Sequence, residues 1–193
     1  GNSGMGGDIL YRWGNPSNYG RGDLSDQILI GQHDANWVES SYHNGGNIII
    51  FNNGSTTGFG QNGVESSIIE ITPPIDAFGN YYIDASNPFS PDSSAWSYSS
   101  NFFSNIMSGA KRLPNGNTLV TVAIDMRIFE VSNEGQILWD YHHHSTGQNT
   151  ISKAVKYPFN YLHDDVFIDM NGDYNSDIFD IIILVNYILG VSV

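Results

Sequence analysis

RIFEVSNEGQILWDY, residues 127–141, sets two strand-like segments rich in Ile, Val, Trp and Tyr on either side of a turn signal. Its first half, RIFEVS (127–132), resembles SIIEIT (67–72) at an offset of 60 residues. Within its second half, LWDY (138–141) resembles AWSY (95–98) at an offset of 43. Just upstream, GNTLVT (116–121) resembles GNIIIF (46–51) at an offset of 70. The order is the same in both passes. The offsets shrink because the first pass carries longer loops, NNGSTTGFGQNG (52–63) and the proline-containing stretch 73–93. GDILYRW (7–13) resembles GQILWDY (135–141), so it reads as the closing strand of an earlier unit.

Each unit therefore reads as four strands: a leading strand (33–39 and 108–113), a Gly-Asn strand, an Ile-x-Glu strand and a closing Trp/Tyr strand. Four-stranded meanders in tandem, none able to cover both of its faces alone, are the mark of a β-propeller. The expected fold is all-β: over residues 1–160, a partial β-propeller of about two complete four-stranded blades plus parts of their neighbours, with NTISKAVKY (149–157) opening the next. The alternative is an ordinary antiparallel sandwich. Trp37, Trp96, Tyr98, Trp139 and Tyr141 are expected between blades. Glu70 and Glu130 occupy equivalent places in the repeat, which points to a structural task such as bonding between blades.

Composition agrees with a turn-rich β protein. The 193 residues include 21 Gly, only 7 Lys and Arg, and 40% apolar residues, enough for one domain with a core and a small appendage. The net charge is −13, and six of the 20 acids lie between Asp164 and Asp180. That balance argues against nucleic acid or an anionic membrane, whose phosphates need clustered cations, and suits a divalent cation. No cysteine is present, so disulfides and thiolate chemistry are excluded. GNSGMGG (1–7) reads as a loop entered mid-domain with no signal peptide, as if the chain were the C-terminal part of a longer one. The longest apolar run, Ile178 to Leu189, is interrupted by Asp180, Asn186 and Tyr187 and is too short to cross a bilayer.

At the C-terminus, DMNGDYNSDIFD (169–180) has the spacing of a calcium loop. Calcium takes six or more oxygens, supplied by loop positions 1, 3, 5, 7, 9 and 12. Here those are Asp169, Asn171, Asp173, Asn175 through its carbonyl, Asp177 and Asp180. Four carboxylates so close together repel without a cation. The following IFDIIILVNYILG reads as a helix, with Gly190 as its stop. Residues 161–193 are thus expected to form a loop and helix around a structural Ca2+. The plainer alternative is a polar turn whose Asp180 lies near the helix start. This segment resembles half of a type I dockerin, in which Asp closes the loop, although Tyr174 stands where that family has glycine. The resemblance implies a cohesin-like or other cell-surface protein partner.

The run GGDILYRWGNP, GQHDANW, GNIIIFNNG, SSIIEI, FFSNIMSGAKRLPNGNTLVT and RIFEVSNEGQILWDY, in that order over about residues 5–160, resembles the arylsulfotransferase family in its secreted bacterial branch. The resemblance implies a propeller in which a sulfuryl group passes between phenolic compounds through a transient sulfohistidine near the mouth of the central channel. A sulfuryl group in transfer carries spread negative charge, so the chemistry needs a nucleophilic imidazole and preorganised donors. On this likeness His33 is the catalytic-site histidine that holds the sulfuryl oxygens. FNNG (51–54) matches a Phe-Asp-Asn-Gly stretch, which makes Asn52 and Asn53 substrate-binding. The arginine that follows this stretch in the family has no counterpart before Lys111, and residues 108–141 hold no histidine. His142, His143 and His144 lie beyond the closing strand. The family implies a secreted, periplasmic or cell-surface protein, with a phenolic sulfate as donor and a phenol as acceptor. A second reading is a non-catalytic propeller that binds a ligand or a protein partner. For His33 that reading is a polar residue hydrogen-bonded to a neighbouring loop, while Asp34 and Asn36 satisfy turn backbone.

Overall fold

A computed structural model of the chain describes residues 9–54, 65–82, 86–144, 147, 149–157, 170–171 and 178–191. It divides into two compact units, Gly1–Val155 and Lys156–Val193. The first unit is built of strands. β1 (His33–Trp37), β2 (Ile48–Asn52), β3 (Ser67–Ile71) and β4 (Trp96–Tyr98) form one antiparallel meander. β5 (Gly109–Arg112), β6 (Thr118–Val122), β7 (Arg127–Val131) and β8 (Ile137–His142) form a second one in the same order. The only helix of eight or more residues among the described ones is α1 (Ile178–Leu189). The chain is therefore all-β with one short C-terminal helix, and each predicted unit is one four-stranded sheet.

Alternation along each strand decides which face packs where. In β2, Ile49 and Phe51 point one way and join Ile68 and Tyr98 against Ala110, Val120, Val122, Phe129 and Val131 of the second sheet. Ile48 and Ile50 point the other way, where Ile69, Ile71, Leu29, Tyr11 and Trp13 form a second cluster. The first sheet is thus covered on both faces, which is why β2 and β3 read as nearly unbroken Ile runs rather than alternating ones. Tyr11 and Trp13 were expected on a closing strand. The described residues 9–13 pair with no strand, yet both rings still cover the sheet, anchored by Tyr11 Oη to the Ser90 carbonyl and Trp13 Nε1 to the Pro91 carbonyl, each at 2.7 Å. Tight hairpins at Leu113–Asn117 and Ser132–Gln136 turn on Gly116 and Gly135, at φ +85° and +86°, a left-handed conformation that glycine adopts without a side-chain clash.

One buried ion pair joins the two sheets. Arg112 of β5 donates through Nη2 and, at 3.1 Å, through Nε to Glu70 Oε2 of β3. Glu70 Oε1 accepts from Asn44 Nδ2 at 2.8 Å and Asn47 Nδ2 at 2.7 Å. The guanidinium lies 4.7 Å from the centre of the Trp96 ring. Both carboxylate oxygens of Glu70 are engaged, as burial of two charges requires.

In the second unit, α1 stops at Gly190. The Gly190 amide bonds the Tyr187 carbonyl at 3.2 Å and the Val191 amide bonds that of Asn186 at 2.9 Å, a Schellman cap on a left-handed glycine (φ +68°). Its apolar residues are exposed around much of the helix, among them Ile178, Phe179, Ile181, Tyr187 and Ile188. No described helix is long and apolar enough to cross a membrane.

Candidate functional site

His33 opens β1 and pairs with Phe51 of β2, one residue before that strand ends. A bulge between His33 and Asn36, with Asp34 in the left-handed region (φ +53°), breaks the register there. Adjacent to it, Asn53 is fully buried. Its Nδ2 donates to the carbonyls of Ser104 (2.7 Å) and Met107 (3.3 Å), which leaves Oδ1 as the acceptor facing the imidazole. His33 Nδ1 lies 2.8 Å from that Oδ1 and 3.0 Å from the Gly31 carbonyl. Both neighbours accept, so in the neutral ring the proton sits on Nδ1 and Nε2 carries the lone pair. The His33 residue is exposed. The geometry therefore supplies a fixed tautomer with its basic nitrogen at the ring edge away from these two acceptors.

The turn that fixes Asn53 is itself constrained. Met107 and Ser108 are both left-handed, at φ +50° and +75°, a costly pair of conformations for residues other than glycine. Ser104 and Ser108 hydroxyls both donate to the Ile106 carbonyl, at 2.7 and 3.2 Å. Ser108 Oγ also accepts from the Ala123 amide at 2.9 Å, locking the turn to the second sheet.

Lys153 brings a cation to this strand end. Its ammonium pairs with Asp34 Oδ1, next in sequence to His33, while Asp34 Oδ2 is buried with no hydrogen-bond partner among the described residues. Asn36 satisfies backbone as expected, bonding the Asp34 carbonyl at 2.7 Å and reaching the Ala110 carbonyl at 3.4 Å. The part of Lys153 was not foreseen. Only its distance in sequence hid it, since 119 residues separate it from Asp34.

Asn52 has a different position from its neighbour. Its Oδ1 accepts from the Ile30 amide at 2.8 Å and its Nδ2 donates to the Ile28 carbonyl at 3.2 Å, so the amide ties the segment before β1 to β2. Of the three residues expected to act on substrate, the structure brings His33 and Asn53 into direct contact and turns the amide of Asn52 to this tie. The His142–His144 run is exposed at the end of β8; His142 Nε2 lies 3.5 Å from Asp140 Oδ1, and His143 Nδ1 3.3 Å from Tyr141 Oη.

Of the calcium-loop residues, Asp169, Asp173, Asn175 and Asp177 lie outside the described residues. Asn171 and Asp180 are described. Asp180 is buried, and its Oδ1 accepts from the amides of Met170 at 2.8 Å and Asn171 at 3.3 Å, binding the start of the loop to the first turn of α1. No group of three or more His, Cys, Asp or Glu suited to a metal occurs among the described residues. Compared with protein-family models, curated proteins and solved structures, the chain matches none.

Proposed function

We propose that the two sheets are consecutive blades of a β-propeller and that the chain is an arylsulfotransferase-like protein, acting outside the cytoplasm on phenolic sulfates. The single observation that carries this reading is the contact of His33 Nδ1 with Asn53 Oδ1 and the Gly31 carbonyl. An imidazole whose Nδ1–H is held by Asn53 and the Gly31 carbonyl presents Nε2 as a nucleophile. Its lone pair attacks the sulfur of an aryl sulfate, the bond from sulfur to the aryl oxygen breaks, and the phenolate leaves with the electron pair. The acceptor phenol then attacks the same sulfur, the bond from Nε2 to sulfur breaks, and the phenolic proton is released. The Lys153 ammonium, held by Asp34 next in sequence to His33, is the candidate cation for the negative charge that gathers on the sulfuryl oxygens. This assignment makes His33 the nucleophile, a step beyond the holding role implied by the sequence likeness.

A second reading is favoured by the engagement of the Asn52 amide in a backbone tie: a non-catalytic propeller that binds a ligand or a protein partner at the cell surface. Incubation with p-nitrophenyl sulfate and a phenol acceptor separates the two. Turnover in the native protein, lost in His33→Ala, supports transfer; no turnover in either leaves the binding reading. For residues 161–193 we infer a dockerin-like module that folds around Ca2+ through Asp169, Asn171, Asp173, Asn175, Asp177 and Asp180 and docks a cohesin-like protein. Its support is the ligand spacing together with Asp180, which draws the loop start onto the helix.

A further inference from the structure

Of the aromatic cluster Tyr11, Trp13, Tyr19, Tyr81 and Phe89 beside the first sheet, only Trp13 has an uncommitted ring. Tyr11 stacks on Tyr81, with ring centres 5.0 Å apart and planes at 13°, and meets Phe89 edge-on at 5.5 Å. Tyr19 meets Phe89 at 5.3 Å, and the Arg12 and Arg21 guanidiniums lie 5.9 and 5.8 Å from the centres of the Tyr19 and Phe89 rings. Trp13 has neither an aromatic nor a cationic partner among the described residues. Its Nε1 donation to the Pro91 carbonyl at 2.7 Å fixes the indole. A ring held this way gives up little freedom when a ligand lies against it.

Trp13 and Ile28 line two cavities. The first, of about 250 Å³, lies on the sheet face opposite to the one that packs on the second sheet. Ser67 and Ile69 of β3 alternate there with Ile68 of the inter-sheet core, and Ser97 of β4 pairs with Ile69. Ser67, Ser94, Ser97 and Ser99 line this cavity, and their hydroxyls bond no described residue. Each hydroxyl can both donate and accept. His33 pairs with Phe51 in the row that packs on the second sheet, so this cavity is on the other face from it. The second cavity, of about 170 Å³, is lined by Tyr19, Phe89, Pro88, Pro91 and the acids Asp26 and Asp92. Asp26 Oδ2 accepts from the Asp23 amide at 2.8 Å, whereas Asp92 bonds no described residue. Neither lining includes a lysine or an arginine. Both cavities fall below the roughly 300 Å³ at which drug-sized ligands begin, a size for one sugar ring each.

We propose that these two cavities bind a neutral oligosaccharide, one sugar ring in each, with the C–H face of a ring against Trp13. A sugar needs an apolar wall for its C–H face and a ring of donors and acceptors for its hydroxyls. Trp13 supplies the wall, the serines bond hydroxyls on one side, and Asp92 accepts from them on the other. The same carboxylates, with a net charge of −13 behind them, repel a uronate or a sulfated sugar. A purely aromatic ligand would use Trp13 and leave the serines and Asp92 without partners, which costs it affinity. The inference goes beyond sulfuryl transfer and does not use His33; either can fail alone.

The full chain is titrated with cellotetraose, xylotetraose and mannotetraose as neutral probes and with tetragalacturonate as the acidic one. Its four tryptophans give four indole NMR signals, and the one missing from Trp13→Phe belongs to Trp13. At least one neutral probe is expected to bind with a Kd below about 1 mM by calorimetry and to shift that signal. Ser97→Ala with Ser99→Ala, and separately Asp92→Asn, are each expected to weaken binding about tenfold. All three residues are exposed, so these changes leave the fold in place. No binding of any neutral probe at millimolar concentration overturns the proposal, as does an affinity that both sets of changes leave untouched. Tetragalacturonate bound as tightly as the neutral probes removes the part given to the carboxylates and overturns it too. A shift confined to Trp139, whose exposed ring stacks on Tyr141, would place the sugar elsewhere and end the argument for Trp13.

Discussion

Arg112 and Glu70 face each other across the two sheets with side chains 1% and 0% exposed, the Arg112 Nε 3.1 Å from Glu70 Oε2. Two charges so placed were costly to take out of water, and each is tolerable because the other is there. Arg112→Met is therefore expected to lower unfolding stability by about 3–5 kcal/mol, because Glu70 would stay buried without its partner. The double change Glu70→Leu with Arg112→Met should cost less than Arg112→Met alone. Urea unfolding of the three proteins checks this, and a double change more damaging than the single one would refute it.

Asn53 connects the turn at residues 104–107 to the imidazole, so its replacement acts at two levels. Asn53→Leu deprives the Ser104 and Met107 carbonyls of a donor and should cost about 1–3 kcal/mol of stability. It also removes the main acceptor for His33 Nδ1. Nitrogen NMR of the histidine rings should then show His33 shifting from one tautomer towards a mixture of both. A spectrum identical to that of the native protein would dissociate Asn53 from the state of His33.

Arg127 donates to Asp140 through Nε at 2.9 Å and Nη2 at 2.7 Å, and these bonds hold the Asp140 carboxyl below its usual value while the guanidinium is raised. A carboxyl with a depressed folded value contributes stability that is present above its unfolded value and is lost as pH falls through the folded one. The contribution is small because Asp140 is partly exposed. Asp140→Asn should thus lower the melting temperature slightly at neutral pH and flatten the fall in stability on the acid side below about pH 4. Melts across the acid range up to neutrality test the sign; a steeper acid fall in Asp140→Asn would contradict it.

Calcium at about a hundred times its dissociation constant should stabilise the C-terminal module by about 2.7 kcal/mol. The gain should vanish in EDTA and in Asp169→Ala, and Asp180→Ala should weaken it and also loosen the helix start that Asp180 secures. A melt of the native chain that EDTA leaves unmoved would remove the metal from the account.

The meander order was legible because each strand carries its own signal and the signals recur: the Gly-Asn entry, the Ile-x-Glu run and the Trp/Tyr close each became one strand. The structural task expected of Glu70 followed from its place in the repeat. Its partner Arg112 did not, because 42 residues separate the two and only the packing of one sheet on another brings them together. The two asparagines of FNNG illustrate a finer limit. Adjacent on the chain, they turn their amides to different tasks, Asn52 to the backbone before β1 and Asn53 to the turn beneath His33, and residue type alone does not distinguish them. Tyr11 and Trp13 carry the pattern of a closing strand, yet their rings are fixed by carbonyls at Ser90 and Pro91 rather than by a strand neighbour.

The burial of β2 and β3 on both sides, set against a β8 whose six residues are all exposed, gives the fold an uneven tolerance for change. A polar replacement in the Ile48–Phe51 run has no solvent-facing register to escape into, whereas along Ile137–His142 the outward side chains other than Asp140, which Arg127 holds, meet solvent. Natural variants of this protein should accordingly spare its second and third strands.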